Sequence, residues 1–177
     1  MDFEEKTISS RDIFKGRIVK LRVDTVRLPD GRESTREVIE HAGAVAIVAL
    51  DHAGQIVMVR QYRKPVEQVL LEIPAGTMEA NEDPLLCAQR ELREETGYSA
   101  GHWQKILSYY SAPGFTDEYL HLYLATDLSD GEVEPDEDEF IETVSLPLKK
   151  AYQLIFEGQI KDGKSIIGIQ YALNARE

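Results

Sequence analysis

The spacing of apolar and polar positions changes several times along this chain, and each change marks an element. Within the first 40 residues, Ile18, Val19, Leu21, Val23 and Val26 stand among charged neighbours, which predicts short strands. Pro29-Asp30-Gly31 is a turn signal. Residues 43–50 form one unbroken apolar run and predict a buried strand. Asp51-His52-Ala53-Gly54 turns the chain, and 55–60 returns as the second strand of a hairpin. Residues 69–73 predict a further short strand, stopped by Pro74. Asp83-Pro84 then opens a helix, because Asp caps the first turn and Pro fits inside it. Leu85, Ala88, Leu92 and Thr96 recur at helical spacing, and Gly97 closes the helix. Residues 103–110 and 119–126 predict strands, 132–142 a charged loop, and 143–146 a short strand. Pro147 starts a helix that runs to Glu157-Gly158, and 164–173 predicts a last helix. Strands early, helices late and one helix between them point to α+β or a mixed α/β sandwich.

Composition narrows the class. The 177 residues suit one domain with an ordinary core. Lys and Arg total 20 against 32 Asp and Glu, a net charge of −12, which argues against nucleic-acid binding through a basic face. A local basic pocket or a metal still suits a small anion. The single cysteine, Cys87, excludes an internal disulfide. No apolar run reaches the length of a membrane span. The first six residues lack the basic-then-apolar pattern of a signal peptide, so the expectation is a cytoplasmic protein with no membrane partner.

The middle helix carries the candidate chemistry. Glu91, Glu94 and Glu95 fall at i, i+3 and i+4, so three carboxylates leave one side of the helix. Like charges at that spacing weaken a bare helix, and a hard divalent cation reverses the sign. On the helix alone two readings stand: a solvated, salt-bridged face, or an Mg²⁺ site for phosphate chemistry.

The wider spacing separates them. Gly76, five residues, Glu82, seven residues, Arg90-Glu91-Leu92, one residue, Glu94-Glu95, one residue, then Gly97-Tyr98 resembles the Nudix box. Seven residues in fixed register coincide by chance on the order of 10⁻⁸ per starting position. Tyr98 departs from the aliphatic residue usual there. The resemblance implies a loop–helix–loop that binds Mg²⁺ or Mn²⁺. It makes Glu91 and Glu95 ligands, Glu94 a third ligand or helper, and the Ala75 carbonyl a further ligand. Glu82 and Arg90 orient the loop and helix.

The flanks resemble the ADP-ribose pyrophosphatase branch of that family. Pro113 lies 16 residues after Gly97, within Ser111-Ala112-Pro113-Gly114-Phe115-Thr116-Asp117-Glu118. Arg36-Glu37-Val38-Ile39-Glu40-His41, Val59-Arg60-Gln61-Tyr62-Arg63 and Leu71-Glu72-Ile73-Pro74-Ala75-Gly76 resemble it too. By that resemblance Arg36 and Arg63 sit near phosphate or terminal ribose, with Arg60 a weaker candidate. Glu72 and Glu118 contact substrate or position ligands, and Pro113 marks the branch. The acidic stretch 132–139 supplies the general base, Glu137 first and Glu139 second.

The implied fold is an α/β/α sandwich with a mixed sheet and an additional N-terminal β-sheet. Residues 1–40 form an N-terminal region that contributes to dimerisation, and 41–177 the hydrolase domain. The implied assembly is a homodimer, and the implied reaction is metal-dependent hydrolysis of ADP-ribose to AMP and ribose 5-phosphate. Another nucleoside diphosphate sugar, GDP-mannose or ADP-glucose, is the alternative, because the box handles only the pyrophosphate. A non-catalytic sensor on the same fold predicts broken box glutamates, and they are intact here.

Overall fold

The computed structural model describes residues 3–131 and 140–175. The chain forms two compact units, Met1–Gly43 with Tyr109–Tyr119, and Ala44–Ser108 with Leu120–Glu177.

The first unit holds a three-stranded antiparallel sheet of β1 (Lys6–Lys15), β2 (Lys20–Arg27) and β3 (Glu33–Glu40) in that order. The predicted turn at Pro29-Asp30-Gly31 joins β2 to β3. Gly31 adopts a φ of 87°, which a glycine reaches without strain, and the Asp30 carboxylate accepts from Arg32 N at 3.1 Å. β1 was not legible as a strand, because Ile8, Ile13 and Phe14 neither alternate nor bury; every residue of β1 is exposed. Residues 111–118 are fastened to the end of β3: Ile39 N donates to Phe115 O at 2.8 Å, and Asp117 N donates to Ile39 O at 3.2 Å. The backbone N–H of His41 donates to Asp117 Oδ1 at 2.8 Å.

The second unit is built on a mixed seven-stranded sheet. Its members are β4 (Ala44–Leu50), β5 (Gln55–Arg63), β6 (Gln68–Glu72), β7 (Ala75–Thr77), β8 (Tyr98–Tyr110), β9 (Tyr119–Asp130) and β10 (Ile141–Pro147). The main order is β10-β5-β4-β9-β8, with β6 paired to β5 and β7 to β4. β4 runs parallel to β9 and antiparallel to β5 and β7.

The unbroken apolar run of β4 is explained by cover on both faces; all seven of its residues are buried. On one face Val45, Ile47 and Ala49 pack with Cys87, Ala88 and Leu92 of α1 (Pro84–Thr96). On the other face Val48 meets α3 (Gly163–Asn174), where a β-carbon on Gly168 would lie 2.7 Å from Val48 Cγ2. The missing side chain of Gly168 therefore lets the helix lie close to the sheet there. α2 (Leu148–Phe156) packs beside α3 and against β5 and β10. Helix, mixed sheet and helix make the expected α/β/α sandwich, and the expected N-terminal sheet is present.

Several elements outrun their predicted bounds. β5 continues to Arg63, β9 to Asp130, and β8 begins at Tyr98 directly after the helix. The start of β8 was hidden because Ser99, Ala100, Gly101 and His102 carry no apolar alternation. β7 was not foreseen; three residues, Ala75-Gly76-Thr77, are too few to show a period. Among the described residues, no helix is long and apolar enough to cross a membrane.

Candidate active site

The site begins with the turn that enters α1. The Asp83 carboxylate accepts from Leu85 N at 2.9 Å and Leu86 N at 3.2 Å, and Pro84 occupies the first helical turn. Gly97, at φ 75°, ends the helix as predicted. Before the cap, Glu82 Oε2 accepts from Glu79 N at 2.9 Å. Arg90, two turns into the helix, grips the same carboxylate with Nε at 3.0 Å and Nη2 at 3.1 Å. This two-point pair ties the loop to the helix. The Arg90 hydrogen bond, aided by Glu79 N, holds the Glu82 carboxyl down at about 2. Cys87 lies beside the pair, fully buried, and burial followed by Glu82 pushes its thiol up to about 12.

Nη1 of Arg90 serves the acidic side of the helix. It reaches Glu91 Oε1 at 2.7 Å and Glu94 Oε2 at 2.9 Å. Glu95 is 4% exposed, and its Oε2 accepts from Ala75 N at 3.0 Å. Thr143 on β10 donates to the Glu95 carbonyl at 3.3 Å. Gly76 leaves room for Glu91: a β-carbon there would lie 1.9 Å from Glu91 Cδ. Sequence positions 75, 76, 91 and 95 thus meet where β7 packs on α1, and Arg90 ties Glu94 to Glu91. Among the described residues, no group of three or more His, Cys, Asp or Glu is poised around one point; Glu91 and Glu94 converge on Arg90 instead. The donors still fit a hard divalent cation, being carboxylate oxygens beside a backbone cradle opened by Gly76.

A second network carries Arg63. Its Nε donates to Glu72 Oε1 and its Nη2 to Glu72 Oε2, each at 2.9 Å. Glu72 is 2% exposed and also takes Lys164, whose Nζ lies 3.0 Å from Asp162 Oδ2. Burial raises the Glu72 carboxyl, but Arg63 and Lys164 outweigh it and the net direction is down. Burial likewise opposes the charge of Arg63, yet Glu72, then Glu95 and Asp162, raise its pKa. The field of Glu95 reaching Arg63 links this arm to the acidic helix. Arg60 instead points to Glu142 at 2.7 Å in an exposed pair.

The other predicted substrate residues lie in the first unit. Arg36 on β3 forms a two-point pair with Glu5, Nε to Oε2 at 2.7 Å and Nη2 to Oε1 at 2.5 Å. Glu118 follows the segment containing Pro113, and its Oε1 is 3.7 Å from His41 Nδ1. Gly43 N donates to that same ring nitrogen at 3.1 Å. Glu137 and Glu139 lie outside the described residues.

Sequence reasoning missed Lys164, Asp162 and Ser165. Their partners are remote, Ile73 N donating to Ser165 Oγ across 92 positions at 2.8 Å. The one local signal was Asp162 three residues before Ser165, an N-cap pattern; Asp162 accepts from Ser165 N at 3.0 Å.

A mixed-sheet sandwich that sets a glutamate-bearing helix against the Ala75-Gly76 strand is the arrangement the box implies. The NUDIX domain matches residues 40–166, and the Nucleoside diphosphate sugar hydrolase N-terminal domain matches 5–39. The chain belongs to the Nudix family. It is 50% identical over 171 residues to the Methanol dehydrogenase activator of Bacillus methanolicus, covering 96% of this chain and 92% of that one. It is 46% identical over 170 residues to the ADP-ribose pyrophosphatase of Bacillus subtilis (strain 168), covering 95% and 92%. The GDP-mannose pyrophosphatase of Yersinia enterocolitica is 36% identical over 150 residues, covering 79% and 78%. A solved ADP compounds hydrolase superposes with a TM-score of 0.86 at 19% identity, over 99% of this chain and 96% of that one, a likeness of fold. A divalent cation is a general need of Nudix hydrolases.

Proposed function

We propose that this chain hydrolyses ADP-ribose to AMP and ribose 5-phosphate, with Mg²⁺ as its cation and Mn²⁺ as the substitute. The observation that carries the reading is the meeting of Glu91 and Glu95 with the Ala75-Gly76 backbone, with Glu94 joined to Glu91 through Arg90. The 46% identity to an ADP-ribose pyrophosphatase supports the substrate. When bound, divalent ions neutralise the diphosphate and acidify a water.

Glu91, Glu95, Glu94 and the Ala75 carbonyl are the groups that would hold the cation. Arg63, half-exposed and fixed by Glu72, takes phosphate oxygens with its planar fork. Glu137, or Glu139 in its place, takes the proton of the attacking water. Arg36, Glu118, Pro113 and Arg60 are substrate contacts on the family resemblance alone.

The chain acts as a cytoplasmic homodimer joined through its N-terminal region. Support comes from β1, an edge strand whose Ile8, Ile13 and Phe14 are all exposed. Sedimentation of the purified chain tests this; a monomer at micromolar concentration refutes it.

The relative that acts on GDP-mannose favours a second reading, hydrolysis of that sugar nucleotide. A panel of ADP-ribose, GDP-mannose and ADP-glucose with Mg²⁺ decides. The expected result is highest kcat/KM on ADP-ribose, and faster turnover of GDP-mannose overturns it. The name of the 50% identical relative adds an arm: methanol dehydrogenase activity measured with and without the chain.

A further inference from the structure

The first turn of α3 grips Glu72, the last residue of β6, and Ile73 directly after it. Lys164 binds the Glu72 side chain, and the Ser165 hydroxyl accepts from Ile73 N at 2.8 Å. Both grips are anchored on Asp162, which lies 3.0 Å from Lys164 Nζ and takes the Ser165 hydroxyl at 2.6 Å. Lys164 is 12% exposed and Glu72 2%, so neither is placed to meet solvent or substrate as Arg63, at 38%, is.

We propose that Lys164 is a positioning residue: by holding the buried Glu72 carboxylate, it sets the orientation in which Arg63 meets the substrate diphosphate. The inference rests on the reading of Arg63 as a phosphate contact. Glu72 Oε1 takes Nε of Arg63, whereas Oε2 is shared between Arg63 Nη2 and Lys164. The pair uses one edge of the guanidinium and leaves Nη1 outside it. Removing Lys164 takes one of two cations from a buried carboxylate, and such a group recruits whatever donor remains. That donor is Arg63, which is drawn inward and away from the phosphates. Charges that share one acceptor in this way act as a unit.

The test is a double-mutant cycle on the full chain, with steady-state hydrolysis and thermal melting measured for each variant. Lys164→Met and Arg63→Met are each expected to lower kcat/KM at least tenfold, and the double variant to be no slower than Arg63→Met. Lys164→Arg, which restores the cation, is expected to recover most of the loss. Multiplying losses in the double variant overturn the inference, as does Lys164→Met with wild-type kcat/KM. Wild-type kcat/KM in Arg63→Met overturns the arginine reading and the inference with it. If Lys164→Met fails to fold, Lys164→Gln takes its place in the cycle. If the panel names a different sugar nucleotide, the cycle runs on that substrate, so a wrong sugar and a wrong role for Lys164 remain distinguishable.

Discussion

The carboxylate of Glu91 occupies the space that a side chain at position 76 would need: a β-carbon on Gly76 would lie 1.9 Å from Cδ and 2.1 and 2.2 Å from the two oxygens. The glycine of the box is thus a matter of room for a functional group. The clash falls on the far end of a flexible side chain, so Gly76→Ala is expected to fold, with melting within a few degrees of wild type. Its turnover is expected to fall by about a hundredfold, the scale on which displaced metal-site groups act. Steady-state kinetics beside a thermal melt separate the two effects.

Glu95→Gln tests the metal assignment without emptying the space. The amide oxygen can still accept from Ala75 N, which now donates to Glu95 Oε2 at 3.0 Å. Folding is therefore expected to persist, while activity drops by at least about a hundredfold and the demand for divalent ion rises. Wild-type turnover would remove Glu95 from the metal site.

Acid stability should depend on Glu82. Its carboxyl is held at about 2 by Arg90, against 4.5 for an ordinary glutamate. A depressed folded value gives stability that is complete above about 4.5 and is lost as pH falls toward 2. Glu82→Gln should therefore melt well below wild type at pH 7, and the gap should close on acidification. Melting curves from pH 7 to 3 measure it, and a gap independent of pH removes the ion pair as the cause.

Cys87 should be chemically silent. Burial, reinforced by Glu82, puts its thiol at about 12, so little thiolate exists near neutrality. A disulfide reagent at pH 8 is expected to leave the native chain unmodified and to label one thiol per chain in guanidinium. Rapid native labelling would show that the α1 face opens in solution.

How much was legible followed from the range of each interaction. α1 could be read end to end, because Asp83, Pro84 and Gly97 act on the backbone beside them. The buried strand β4 was plain from seven apolar residues in a row. The box placed Arg90 and the three glutamates of α1, since fixed spacing on one helix fixes their mutual positions. β1 escaped, because an edge strand with no buried side gives no alternation. Lys164 escaped for the opposite reason: its partner Glu72 is 92 positions away, and no local pattern reports a contact made only by folding. Arg60 and Arg63 look alike in sequence, yet one pairs at the surface with Glu142 and the other with a buried carboxylate.

Arg90 has one more consequence. Its guanidinium touches Glu82, Glu91 and Glu94 together. The mutual repulsion of Glu91 and Glu94, three residues apart, is thereby answered from inside the same helix. A cation that arrives there meets two helix carboxylates already drawn together by a positive charge.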